Sequence, residues 1–219
     1  MRILLVAATD AEIAPIVANL AHRETRGPRT RAYRTDRHDV DVLIAGIGMV
    51  PTAVWTARAL AVDRYDAAFN AGVCGSFDAA LLPGTVVHVI SDRFPEVGVE
   101  DGEALLTLEQ VGLPAEVEAV GSRPPASAAL DALPRVRGIT VNTVHGCERS
   151  IENVRRRFNP QVETMEGAAF MYACSVAGVP FAQVRAVSNI VEPRNRASWK
   201  LSEAIDALGR TMGAIVFGR

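Results

Sequence analysis

Two carboxylates three positions apart, Glu163 and Glu166, frame the segment Val162-Glu163-Thr164-Met165-Glu166-Gly167-Ala168-Ala169. Groups of this kind accept hydrogen bonds or a proton, and they stand where a short apolar strand gives way to a helix. From Glu166 onward Ala168, Ala169, Met171, Tyr172, Ala173 and Val176 read as a packed helix that stops at Gly178-Val179-Pro180. Glu163 and Met165 then fall on the strand end, and Glu166 in the first helical turn. At such a junction of an open α/β sheet, polar groups face the crevice where ligands bind. A helix-start glutamate that favours the positive end of the dipole accounts for Glu166 equally well on position alone.

Other strand ends carry a similar signature. Arg2 to Ala8 is a continuous apolar run, the pattern of a buried strand, and Thr9 or Asp10 caps a helix with Glu12 in its first turn. Ala32 to Thr35 and Val40 to Ala45 read as a hairpin, followed by Gly46-Ile47-Gly48 and a helix from Thr52 to about Val62. That glycine pair lacks the third glycine of a dinucleotide site. Ala67 to Asn70 is a strand leading into the glycine turn Ala71-Gly72-Val73-Cys74-Gly75-Ser76. Phe94 to Glu116 reads as an irregular excursion over the site. Gly138 to Val144 is a strand ending at His145, a helix runs from Cys147 to Phe158, and Pro180 to Val187 is the last buried strand, ending in Ser188-Asn189. Buried strands that end repeatedly in polar and glycine residues form an active-site pattern rather than a core pattern. Strands alternate with helices across short linkers, which predicts one α/β domain over 1–219, a three-layer sandwich around a central mixed, mainly parallel sheet.

Bulk properties narrow the function classes. The chain has 219 residues, about half of them apolar, and a net charge of −2, so no global charge favours nucleic acid or membrane surfaces. No apolar run is long enough to span a bilayer or serve as a signal peptide, which predicts a cytoplasmic protein. Cys74, Cys147 and Cys174 are scattered, as reduced thiols would be, and the four histidines form no metal-ligand spacing. Arg155-Arg156-Arg157 reads as a solvated helix end.

Together these strand ends resemble the purine nucleoside phosphorylase/nucleosidase superfamily over nearly the whole chain. Ala7 to Glu12 resembles the opening strand and catalytic glutamate of its methylthioadenosine/S-adenosylhomocysteine nucleosidases, and Gly46 to Val50 their Gly-Ile-Gly turn. Asn70 to Gly75 resembles the turn over the sugar, Glu163 to Glu166 the ribose clamp, and Arg185 to Asn189 the segment that contacts the base. The resemblance implies Glu12 as general base for water and Glu166 as acceptor from the 2′ and 3′ hydroxyls. It implies Met165 against the sugar or base, Val73 and Gly75 in the sugar turn, Glu163 as a supporting partner of a water or hydroxyl, and Asn189, held by Ser188, at the purine edge. No metal or organic cofactor is implied. The implied partner is a small nucleoside, and the implied assembly a homodimer or higher homo-oligomer.

Two departures are informative. Asn70 stands where the phosphorylases have a phosphate-binding arginine, which favours water as nucleophile. Asn189 stands where the adenine-cleaving nucleosidases have aspartate. Its amide offers a donor to a 6-oxo group or N7, which favours a 6-oxopurine such as hypoxanthine. The tail Val187 to Lys200 resembles the futalosine hydrolases within that superfamily, whose substrate carries a carboxyphenyl group on the 5′ side. Arg194, Arg196 or Lys200 then becomes the expected partner of that carboxylate. Alternatives are a methylthioadenosine-type nucleosidase, a phosphorylase, and a non-catalytic nucleoside-binding module.

Overall fold

The computed structural model describes residues 1–18, 20–35, 37–102, 104–115 and 119–218. β1 (Arg2–Ala7) leads into α1 (Asp10–Val17), the strands β2 (Ala21–Thr25), β3 (Thr30–Arg34) and β4 (Asp39–Ile44), then α2 (Met49–Val62), β5 (Ala67–Ser76) and β6 (Val86–Arg93). After it come the small pair β7 (Val99–Asp101) and β8 (Ala104–Leu106), β9 (Ala119–Gly121), the single turn α3 (Ala128–Asp131), β10 (Arg135–Thr140) and α4 (Glu148–Phe158). The chain closes with β11 (Val162–Thr164), α5 (Gly167–Ala177), β12 (Phe181–Ile190) and α6 (Leu201–Met212).

β1 explains why its sequence is apolar throughout. Ile3, Leu5 and Ala7 pack with Ile13 and Ile16 of α1 and Leu208 and Met212 of α6. Leu4 and Val6 face the other way, onto Phe170, Met171 and Cys174 of α5. Both faces of the strand are therefore covered, and the usual apolar–polar alternation disappears. Leu4 and Leu5 are fully buried, and each such side chain contributes roughly 1.5–3 kcal/mol. The α5 helix ends as its sequence dictates, with Gly178 at φ +69° donating its N–H to Cys174 and Ser175 carbonyls.

The fold is α/β, with helices on both faces of the β1 region, but the sheet is neither open nor mainly parallel. Its strand order is β11-β10-β6-β12-β5-β1-β4-β3-β2, and β11 also pairs with β5. Parallel and antiparallel pairings are equally represented among its described strands. The closure has a physical cause. β1 pairs with β5 only as far as Asn70, so the rest of that edge of β5 needs other partners. β11 takes up part of it, setting Val162 opposite Ser76 and Glu163 opposite Gly75. Five strands, β5, β12, β6, β10 and β11, thereby close on themselves like a small barrel.

Smaller differences matter for the site. β10 ends at Thr140 rather than Val144, so His145 sits in a loop. Glu166 is the N-cap of α5, one position before the helix. Glu103 and Glu116 of the expected excursion lie outside the described residues, and no other residue of it lines the site cavity described below. Among the described residues no helix is long and apolar enough to cross a membrane.

Candidate active site

The carboxyl-terminal parts of β1, β5, β11 and β12 border one cavity of about 330 Å³. Glu12, Val73, Gly75, Glu163, Met165, Glu166, Ser188 and Asn189 all line it, from four separate stretches of chain. A narrow side pocket of about 40 Å³ adjoins it, lined by His145 and Arg194 together with the shared residues Gly75, Val144, Glu163, Asn189 and Trp199. Arg196 is exposed and lines neither space, and the same two linings omit Lys200. Of the cations expected at the site, only Arg194 reaches it.

Glu12 is 7% exposed and fixed at both oxygens. Oε1 accepts from the Val73 N–H at 3.2 Å, and Oε2 accepts from the Thr9 N–H and hydroxyl, each at 2.9 Å. The first turn of α1 thus aims its carboxylate at the middle of β5. Gly72 makes this possible: a Cβ there would lie 2.8 Å from Glu12 Oε1 and overlap the Arg185 guanidinium.

Glu166 meets two partners that the sequence pattern does not reveal. Its Oε1 accepts from the Gly48 N–H at 3.0 Å, and its Oε2 lies 3.5 Å from Arg185 Nη1. Gly46 and Gly48 have φ near +100°, a backbone shape that glycine adopts without penalty. The Gly-x-Gly turn therefore holds a carboxylate of the chain itself. Burial raises the Glu166 carboxyl above its ordinary value, and the Arg185 charge and the Gly48 N–H oppose that rise.

Arg185 is 1% exposed and makes the polar interior of the strand closure continuous. Its Nε donates to Gln183 Oε1 at 3.0 Å, and its Nη2 donates to Asn70 Oδ1. Gln183 in turn donates to Asp92 Oδ2 at 2.8 Å, and Asn70 donates to the Val6 carbonyl at 3.0 Å. Asp92 is buried, which pushes its carboxyl up to about 6 against the pull of Gln183 and its other donors. An arginine inside the apolar run Phe181 to Val187 was the available sequence signal for this network.

Glu163 is 3% exposed. It accepts from the His145 N–H at 3.1 Å, and its Oε2 lies 2.6 Å from His145 Nδ1. Asn189 Oδ1 accepts from the Ser188 hydroxyl at 2.8 Å, while its Nδ2 donates one hydrogen to the Ile190 carbonyl at 3.0 Å. An amide nitrogen carries two hydrogens, so one remains for a ligand. Glu163 and Asn189 flank the same glycine: a Cβ on Gly75 would lie 3.4 Å from Glu163 Cγ and 3.4 Å from Asn189 Nδ2.

The cavity thus offers three carboxylates and one oriented amide between an apolar wall, which includes Ala8, Ala11, Ile47, Leu201 and Ile205, and a polar sheet end. Among the described residues no group of His, Cys, Asp and Glu has the makings of a metal site. The arrangement suits a small ligand with hydroxyls and a heterocycle.

The chain is also similar to known proteins over most of its length. Residues 2–216 match the family model described as the Phosphorylase superfamily. A futalosine hydrolase of Acidothermus cellulolyticus is 29% identical over 97% of this chain and 89% of its own length. One from Streptomyces coelicolor is 33% identical over 80% of this chain and 77% of its own. In fold, a mutant of the Helicobacter pylori 5′-methylthioadenosine/S-adenosylhomocysteine nucleosidase, solved with 5′-methylthioadenosine in its active site, superposes with a TM-score of 0.84. It is 16% identical, covering 100% of this chain and 99% of that one.

Proposed function

Because the chain belongs to the phosphorylase superfamily, we propose that it is a futalosine hydrolase, cleaving the N-glycosidic bond to release hypoxanthine, with water as the nucleophile. The observation that carries this reading is Asn189: its amide lines the cavity, is oriented by Ser188, and keeps one hydrogen for a ligand. The two futalosine hydrolases above support the substrate.

Bond cleavage develops positive charge on the ribose and negative charge on the base, so a catalyst must stabilise both. Glu12 takes the proton of the attacking water. Two N–H groups and a hydroxyl hold its oxygens in place. Glu166, whose negative charge Arg185 and the Gly48 N–H support against burial, accepts from the 2′ and 3′ hydroxyls and feeds electron density to the ring. Met165 packs against the sugar, and the backbone at Val73 and Gly75 passes close beside it. Asn189 donates to the purine edge, where an adenine amino group would meet a donor instead of an acceptor.

Water rather than phosphate attacks because Asn70 is neutral, 1% exposed, and occupied by Arg185 and the Val6 carbonyl. The aryl 5′ group lies against the wall of Ala8, Ile47 and Leu201, and Arg194 or Arg196 pairs with its carboxylate. Arg194 is the better placed, since its guanidinium stands 5.8 Å over the ring of Trp199, which lines the main cavity. The chain acts as one three-layer catalytic domain in the cytoplasm, as a homodimer or higher homo-oligomer. Ile47 and Leu201 at the cavity mouth are 62% and 46% exposed, apolar surface that a second subunit would cover.

Incubation with futalosine, inosine and methylthioadenosine, with and without phosphate, tests the reading. Hypoxanthine released from futalosine at a phosphate-independent rate is the expected result. Preferential adenine release, or a rate that requires phosphate, would overturn it.

A further inference from the structure

A departing purine anion needs a proton, and the residue at the purine edge cannot give one. Asn189 is an amide: it donates hydrogen bonds but is no acid near neutral pH. Glu12 is occupied in taking a proton from water, and Glu166 in holding the sugar. The side pocket separates the remaining groups cleanly. Its lining includes Asn189, Glu163 and His145 but none of Glu12, Met165 or Glu166. Glu192 also lines this pocket, but Glu163 is the carboxyl group that lines both spaces with the amide, across Gly75 from it, and its partner is an imidazole 2.6 Å away.

We propose that Glu163 is the acid that protonates the departing base, and that His145 is its positioning residue. The assignment rests on the nucleosidase reading above. As the C1′–N9 electrons pass into the purine, the Glu163 O–H bond breaks and a purine N–H bond forms. The carboxylate left behind is held by the His145 backbone N–H and the ring Nδ1–H, two donors already in place. Solvent then returns a proton to the pair. Asn189, on the other flank of Gly75, keeps the ring in register while this occurs.

Several groups face the pair. Glu192 and Arg194 of the loop after β12 line the same pocket, and Asn189 comes from β12 itself. Cys74 of β5 is buried, which pushes its thiol up to about 12 and keeps it neutral. Phe77 packs edge-on against the His145 ring, at 6.1 Å between centroids, with the Arg155 guanidinium beyond it. Glu192 and Arg194 bring opposite charges to the pocket, so neither sign dominates it.

The test measures kcat/KM for futalosine against pH in the wild type, Glu163→Gln and His145→Gln, each checked for a native circular-dichroism spectrum. General-acid catalysis contributes typically about 10²–10⁴-fold. Wild-type kcat/KM should fall as pH rises, as general-acid catalysis requires. Glu163→Gln should lose at least ~100-fold and lose that alkaline limb; His145→Gln should retain the limb at a shifted pH. A second substrate, futalosine methylated at N7, releases a neutral base and needs no acid, so the loss in Glu163→Gln should shrink to under ~10-fold. Equal losses on the two substrates, or a Glu163→Gln enzyme within about threefold of wild type, would overturn the assignment. If Glu163→Gln does not fold, the same comparison in His145→Gln decides, with an unshifted limb counting against the proposal. A wild type that leaves futalosine intact would instead refute the function itself.

Discussion

Arg185 Nη1 lies 3.5 Å from Glu166 Oε2, and the two side chains are only 1% and 8% exposed. A buried charge is tolerated when its partner is present and costs several kcal/mol when the partner is removed. Arg185 also bonds Gln183 and Asn70, so it joins Glu166 to the strand closure. Arg185→Met should therefore destabilise the protein by about 3–5 kcal/mol in urea unfolding. It should also move the acidic limb of kcat/KM to higher pH, since burial already raises the Glu166 carboxyl and Arg185 opposes that rise. An unmoved limb would show that Glu166 does not depend on this cation.

Glu12→Gln keeps an acceptor for the Val73 N–H but removes the proposed base. Substrate binding, followed by calorimetry, should change little, while single-turnover cleavage should slow by about 10²–10⁴-fold. Retained turnover would remove Glu12 from its assigned role.

Asn189→Asp replaces an oriented donor by an acceptor. The ratio of kcat/KM for hypoxanthine over adenine nucleosides should fall by about two orders of magnitude, because buried polar groups reject the base that leaves them unpaired. An unchanged ratio would show that another residue reads the purine.

Gly72→Ala puts a methyl group against the Arg185 guanidinium and within 2.8 Å of Glu12 Oε1. Overpacking of this kind costs about 1–3 kcal/mol. Both carboxylate supports are disturbed together, so activity should fall further than Glu12 or Arg185 geometry alone would require. A Gly72→Ala enzyme with native Tm and rate would contradict the tight packing.

Asp92 sets a pH signature of stability. Burial raises its carboxyl from 3.8 to about 6, so the folded state favours the neutral form. Its contribution is fully present below pH 3.8 and is lost as pH rises through about 6. Asp92→Asn removes that loss. The variant should match the wild type near pH 4 and exceed it by about 3 kcal/mol at pH 8. Denaturant midpoints at the two pH values measure the difference, and a gain of the same size at both would refute the titration.

Much of the candidate site was legible in the chain because the residues that line its cavity sit where local patterns change. Glu12 follows an apolar run, Glu163 and Glu166 bracket a strand-to-helix switch, and Ser188-Asn189 ends another apolar run. Burial on both faces of β1 and β12 produces runs that a reader of sequence can find. Asn70 and Asn189, in place of arginine and aspartate, were visible as departures, because side-chain chemistry is written in the residue type itself.

The partners of those residues were not legible. The order of residues says that β5 is long but not that its edge past Asn70 lacks β1, and so it cannot announce that β11 closes the ring. The same holds for Gly48 beneath Glu166, 118 positions away, and for His145 beside Glu163 across a strand that ends four residues early. The chain by itself determined which groups are available and that strand ends collect them. The tertiary structure alone decided their pairing, because hydrogen bonds and charge stabilisation depend on distances of about 3 Å, and strand pairing, not sequence separation, sets those distances.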